Sequence, residues 1–149
     1  MAELTQTEME QILFTHGSAE MACDVERTME TVVPQPHYEY CMLGLAVDGW
    51  DAVTEMYRRL LSNNRNRNLQ ADIRVNTVGQ NTLMQEAYVS FDNLKGERVK
   101  GLYLMVIAFD PERRQIIGER SYGDAVWNQM LGEALGADFA NIPGVSKLG

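Results

Sequence analysis

The sequence predicts an α+β domain, with helices first and an antiparallel sheet after them. Three observations carry this. Apolar residues recur at helical spacing through the N-terminal part of the chain. Alternating, strand-length segments follow, joined by links of hairpin length. No Gly-rich phosphate loop connects a strand to a helix, which argues against a nucleotide-binding α/β fold.

The elements follow in order. Thr5 to Glu8 has the spacing of a capping box, and Met9, Ile12, Leu13 and His16 share a helical face, so a first helix is expected to about Gly17. Asp24 is placed to cap "VERTMETVV", which Pro34 and Pro36 end. "HYEYCML" reads as a short strand. In "WDAVTEMYRRLL", Trp50, Val53, Tyr57, Leu60 and Leu61 form the apolar stripe of a third helix. Strands are expected at 71–79, 82–92, 98–110 and 114–124, paired as a meander. The reading is one domain over 1–132 and a C-terminal tail over 133–149, partly mobile.

At 149 residues and 45% hydrophobic, the chain is long enough to bury a core without staples. Cys23 and Cys41 have no metal-ligand spacing, which suits free thiols in a reducing compartment. The N-terminus lacks a signal-peptide pattern and no apolar run approaches a membrane span, so a cytoplasmic location and no membrane partner are expected. A net charge of -8 speaks against nucleic acid as a partner. Arg58, Arg59, Arg65 and Arg67 cluster, but without interleaved aromatics they read as a solvated loop after a helix. No His/Asp/Glu cluster indicates a metal, and no cofactor is implied.

Strand phase points to a pocket. Segment 98–110 is apolar on both faces, so a second copy is expected to cover Leu102, Leu104 and Val106, giving a homodimer. Met84, Glu86 and Tyr88 share one face, as do Arg120, Tyr122 and Asp124; the opposite sets, with Ala87 and Val89 or Glu119 and Ser121, are blander. The mixed sets, with Tyr40, Trp50, Tyr57 and Tyr103, are the expected binding residues for a small hydrophobic ligand. Alternation does not say which face is concave. His16 is expected at a rim. Asp124 has two open readings: the cap of the helix that follows, or a pocket carboxylate whose desolvated acid moves protons near neutral pH beside a tyrosine.

The order of elements, with "DGWDAV", "MYRRL" and "IIGERSYGDAVWNQMLG", resembles the nuclear transport factor 2-like superfamily, in particular its SnoaL-like, polyketide cyclase-like branch. The resemblance spans about Met9 to Gly132. It implies a cone-shaped, strongly curved antiparallel sheet wrapped around a pocket by N-terminal helices, often as homodimers through the outer sheet face. In SnoaL-like cyclases an aspartate near the end of the last strand is the acid/base, and Asp124 matches that position. The expectation is a hydrophobic-pocket protein doing cofactor-free cyclase, isomerase or hydratase chemistry with Asp124. The alternative is a non-catalytic ligand-binding or dimeric scaffolding domain.

Overall fold

In the computed structural model, which describes residues 3–149, the N-terminal capping box closes as its spacing predicts. Thr5 Oγ1 accepts from the Glu8 amide, and the Glu8 carboxylate accepts from the Thr5 amide at 2.8 Å. Helix α1 (Gln6–Met21) passes through Gly17 and is capped at Ala22, before Cys23, whose φ of 54° lies outside the helical region. Asp24 caps α2 (Val25–Glu30), accepting from the Arg27 amide at 3.1 Å. Strand β1 (His37–Tyr40), a 3-10 turn (Cys41–Leu43) and β2 (Leu45–Asp48) form a hairpin where one short strand was expected.

Helix α3 (Trp50–Asn66) buries Val53, Met56, Tyr57 and Leu61 along one stripe, as the spacing predicts. Trp50, in its first turn, lies outside that stripe and is 42% exposed. The meander forms from β3 (Gln70–Gly79), β4 (Thr82–Asp92), β5 (Arg98–Asp110) and β6 (Gln115–Gly123), all antiparallel. Register shifts between Ile73 and Val75 and between Ala108 and Phe109 mark bulges, which bend strands and increase twist. Helix α4 (Ala125–Leu135) and a 3-10 turn (Phe139–Asn141) lead to β7 (Val145–Lys147).

The seven strands run β3-β4-β5-β6-β1-β2-β7. The β6–β1 junction is parallel, pairing Glu39 with Arg120 and Tyr40 with Ser121, and it joins the N-terminal hairpin to the meander. Gly118 makes this approach possible, because a Cβ there would stand 1.6 Å from the His37 carbonyl oxygen. Helices α1, α3 and α4 contact the sheet and cover the face carrying Ala87, Val89, Phe91 and Tyr103, where the main core lies; Ile107 belongs to a second, smaller cluster with Met9, Leu83, Phe109 and Ile116.

Two expectations need correction. The boundary at 132 falls inside α4, and the tail is not a loose end: β7 pairs with β2, Phe139 is buried, and the Arg59 guanidinium clamps Asp138 through two bonds of 2.9 and 3.0 Å. Nor is the arginine cluster a solvated loop. Helix α3 continues through it, Arg65 donates to the Cys23 carbonyl, and Arg67 is 7% exposed and paired with Glu133 at 3.1 Å. Composition alone reads Asn and Arg as polar surface; tertiary partners on α4 and β4 overrule it. Cys23 and Cys41 are free thiols. Among the described residues, no helix is long and apolar enough to cross a membrane.

Candidate active site

Between α1, α3, α4 and the covered sheet face lies a cavity of about 420 Å³. Its walls are mainly apolar, with Leu60 and Leu61 from α3, Met105 from β5, and Trp127, Met130 and Leu131 from α4. Trp127 stacks on Tyr103 at 4.4 Å between centroids, and its indole N–H donates to the Ser121 hydroxyl at 3.0 Å. Strand β6 supplies Ser121 and, two residues earlier on the same face, Glu119.

Glu119 is the chemical centre of this arrangement. It lines the cavity with 9% exposure, and one carboxylate oxygen stands 3.6 Å from His16 Nε2. The same nitrogen stands 3.3 Å from Glu20 Oε1 and 3.0 Å from the Tyr57 hydroxyl, which in turn bonds Tyr38 at 3.0 Å. On its other side, His16 Nδ1 is 2.6 Å from the Thr31 hydroxyl oxygen, and that hydroxyl donates to the Thr28 carbonyl at 2.7 Å. Thr31 thus accepts, and the Nδ1 proton of His16 is held in place.

Burial pushes the Glu119 carboxyl up to about 7; His16 pulls it back and Glu20 adds to the rise. Burial also opposes charge on His16, but the Glu20 and Glu119 carboxylates outweigh it and hold its pKa above the ordinary histidine value. Tyr40, Tyr57 and Tyr103 are pushed up by burial first, then by Glu119 and Glu20 among other neighbours, so they remain phenols and hydrogen-bond donors at neutral pH. A protonatable carboxyl, an imidazole and phenolic donors therefore meet beside an apolar cavity.

The expected site residues divide between the two sheet faces. Tyr40, Tyr57 and Tyr103 come together on the cavity wall. Met84, Glu86, Tyr88, Arg120 and Tyr122 do not: they lie on the outer face, because the concave side takes the alternate set with Ala87, Val89, Glu119 and Ser121. There Glu86 pairs with Arg74 at 2.7 Å, Tyr88 lies between Arg74 and Lys100, and Arg120 lies 3.5 Å from Glu39. Trp50 stands in the first turn of α3, outside the cavity wall. Asp124 adopts its capping alternative. One oxygen accepts from the Trp127 amide and the other from the Leu102 amide, each at 3.0 Å, so both oxygens serve backbone rather than the cavity.

Glu119, Glu20, Trp127 and Ser121 were not expected here, and His16 is fully buried rather than at a rim. One signal was present: His16 and Glu20 are four residues apart on one helix, a spacing that brings side chains together. Nothing local connects them to Glu119. Among the described residues, no three His, Cys, Asp or Glu side chains form a group able to hold a metal ion.

No protein-family model matches the sequence, and no curated protein matches it. Solved structures do match in shape. A putative SnoaL-like polyketide cyclase from Jannaschia sp. CCS1 is 14% identical, with 88% of this chain and 96% of that one covered at a TM-score of 0.68. A nuclear transport factor 2-like protein of unknown function from Cytophaga hutchinsonii ATCC 33406 is 13% identical, with 78% and 99% covered at 0.63. The chain has the nuclear transport factor 2-like fold. The solved structures it resembles also include an epoxide hydrolase/cyclase-like enzyme, SalBIII, with a role in pyran ring formation in the polyether salinomycin. That protein is 16% identical, with 81% of this chain and 94% of that one covered at 0.67. Identities this low carry the nuclear transport factor 2-like architecture and leave the chemistry to the site.

Proposed function

We propose that the protein is an acid/base catalyst acting on a small, largely apolar carbonyl compound, with Glu119 in the role first expected of Asp124. The observation that carries this reading is the Glu119 carboxyl itself: buried at an apolar cavity, with a pKa near 7, it is suited to take and return protons at neutral pH. Glu119 removes a proton beside the carbonyl of the bound compound; the C–H electron pair forms the C=C bond of the enolate and the carbonyl π pair moves onto oxygen. A phenol from Tyr40 or Tyr103 donates to the developing oxyanion. Return of the proton at another carbon completes an isomerisation; attack of the enolate on an internal carbonyl, with Glu119 returning its proton to the new alkoxide, completes a cyclisation.

The test uses nitrobenzisoxazole, whose C–H proton is removed by a buried base as the N–O bond breaks to give a nitrile and a phenolate. The expected result is ring opening that Glu119→Gln slows by about 100-fold or more, while Asp124→Asn, which keeps a capping oxygen, leaves it unchanged. Equal rates in wild type and Glu119→Gln, with both folded, would overturn the catalytic reading and favour a non-catalytic binding domain. The same reading includes a homodimer, supported by the half-exposed Leu102, Leu104 and Val106 and the exposed Met84 and Tyr122 on the outer sheet face.

A further inference from the structure

We propose that His16 and Glu20 form a proton relay between Glu119 at the cavity wall and solvent, in which His16 Nε2 alone exchanges protons with both carboxylates. The relay rests on the acid/base reading of Glu119 and adds the route by which that carboxyl is reset. Its geometry is specific. Nε2 lies 3.6 Å from Glu119 and 3.3 Å from Glu20, so one nitrogen serves both without a ring flip. Nδ1 is committed to Thr31 and holds the ring in that orientation. Along the relay the side chains are 9% exposed at Glu119, 0% at His16 and 34% at Glu20, so Glu20 is the end that reaches water.

The step balances. Once Glu119 has gained a proton from the ligand, imidazolium His16 passes its Nε2 proton to Glu20 and then, as a neutral imidazole with Nδ1–H still on Thr31, takes the proton of Glu119 at the vacated Nε2. Glu119 returns to carboxylate, His16 is again an imidazolium, and Glu20 releases its proton to water. The other titratable groups facing this pair are Tyr57 from α3, Tyr38 and Tyr40 from β1, and Tyr103 from β5. All are held as neutral phenols by burial, which leaves Glu20 as the carboxylate that shares the imidazolium with Glu119. Glu20 lines the same cavity as Glu119 and, in the relay, acts as a positioning and exchange residue through His16.

Two probes separate the relay from the base. With protein in excess, a single turnover of nitrobenzisoxazole opening reports only removal of a proton; exchange of the acidic C–H protons of beta-tetralone in heavy water requires removal and renewal of the proton on Glu119. In Glu20→Gln, exchange is expected to fall on the order of 10-fold, while plateau ring opening changes by less than about threefold. The acid limb of the ring-opening profile should move to lower pH, because His16 then turns wholly toward Glu119 and favours its charged form. Loss of the Glu20 charge moves that limb whether or not protons pass through Glu20, so the readout specific to the relay is the fall in exchange at unchanged ring opening. Unchanged exchange or an unmoved limb overturns the relay and leaves the base reading intact. Loss of ring opening in folded Glu20→Gln also overturns it, since Glu20 would then be acting on the ligand. Glu119→Gln without effect on either probe removes base and relay together.

Discussion

Glu119 and Asp124, five positions apart, show how one functional group, the carboxylate, is put to different uses. Asp124 is spent on backbone amides at a strand-to-helix junction, whereas Glu119 meets an imidazole already shared with a second carboxylate. The burial of Glu119 carries a measurable pH signature. In the unfolded chain this carboxyl ionises near 4.5; folded, it keeps its proton to about 7. Between those values the folded state binds the extra proton, so the stability it contributes is present below the lower value and is lost as pH rises through the upper one. His16, also raised, acts with the same sign, losing its contribution as pH rises above its ordinary value. Glu119→Gln removes the carboxyl titration, so its unfolding free energy relative to wild type should increase between about pH 5 and about pH 8, by a few kcal/mol at most. Chemical denaturation at the two pH values checks this, and parallel curves would contradict it.

At the level of elements, much was legible because the signals are local. The Thr5 and Asp24 caps, the stripe of α3 and the hairpin-length links each concern residues a few positions apart. Strand alternation groups residues correctly but carries no sign, which is why the set with Met84, Tyr88 and Tyr122 was expected inside and lies outside. The parallel β6–β1 junction and the meeting of His16 with Glu119 join distant segments, and no local spacing encodes them. Arg67 illustrates the same point energetically. Its guanidinium ties the end of α3 to Glu133 on α4 and to the Asp92 carbonyl on β4. Arg67→Ser should therefore lower stability by about 2 kcal/mol, the scale of hydrogen bonds to a charged group. Urea denaturation reads this; a loss below about 0.5 kcal/mol, usual for surface positions, would return Arg67 to the solvated class.

For the whole molecule, the helices and the outer face divide the work of covering one sheet. The concave side is filled by α1, α3 and α4, while the outer face leaves Leu102, Leu104 and Val106 half-exposed beside Met84 and Tyr122. In the proposed homodimer, a second copy against this face would remove those groups from water and leave the cavity behind them in place. Leu104→Lys places a charge in that contact and should convert the expected dimer to a monomer, measured by light scattering at micromolar concentration. A wild-type monomer at that concentration would contradict the dimer. Because Glu119 points inward and Arg120 outward on the same strand, the variant also shows whether assembly supports the site: ring opening should survive in the monomer if the chain completes its cavity alone.

The two tryptophans have a practical consequence. Trp127 is 6% exposed and forms part of the cavity wall, stacked on Tyr103, whereas Trp50 is 42% exposed at the start of α3. The protein thus contains its own optical gauge. Iodide in solution should quench Trp50 emission and leave Trp127 largely untouched, and an apolar guest settling against the indole should shift only the protected component. With Trp50→Phe as background-free material, fluorescence titration can count filled cavities without a label, and so find guests before any turnover is known.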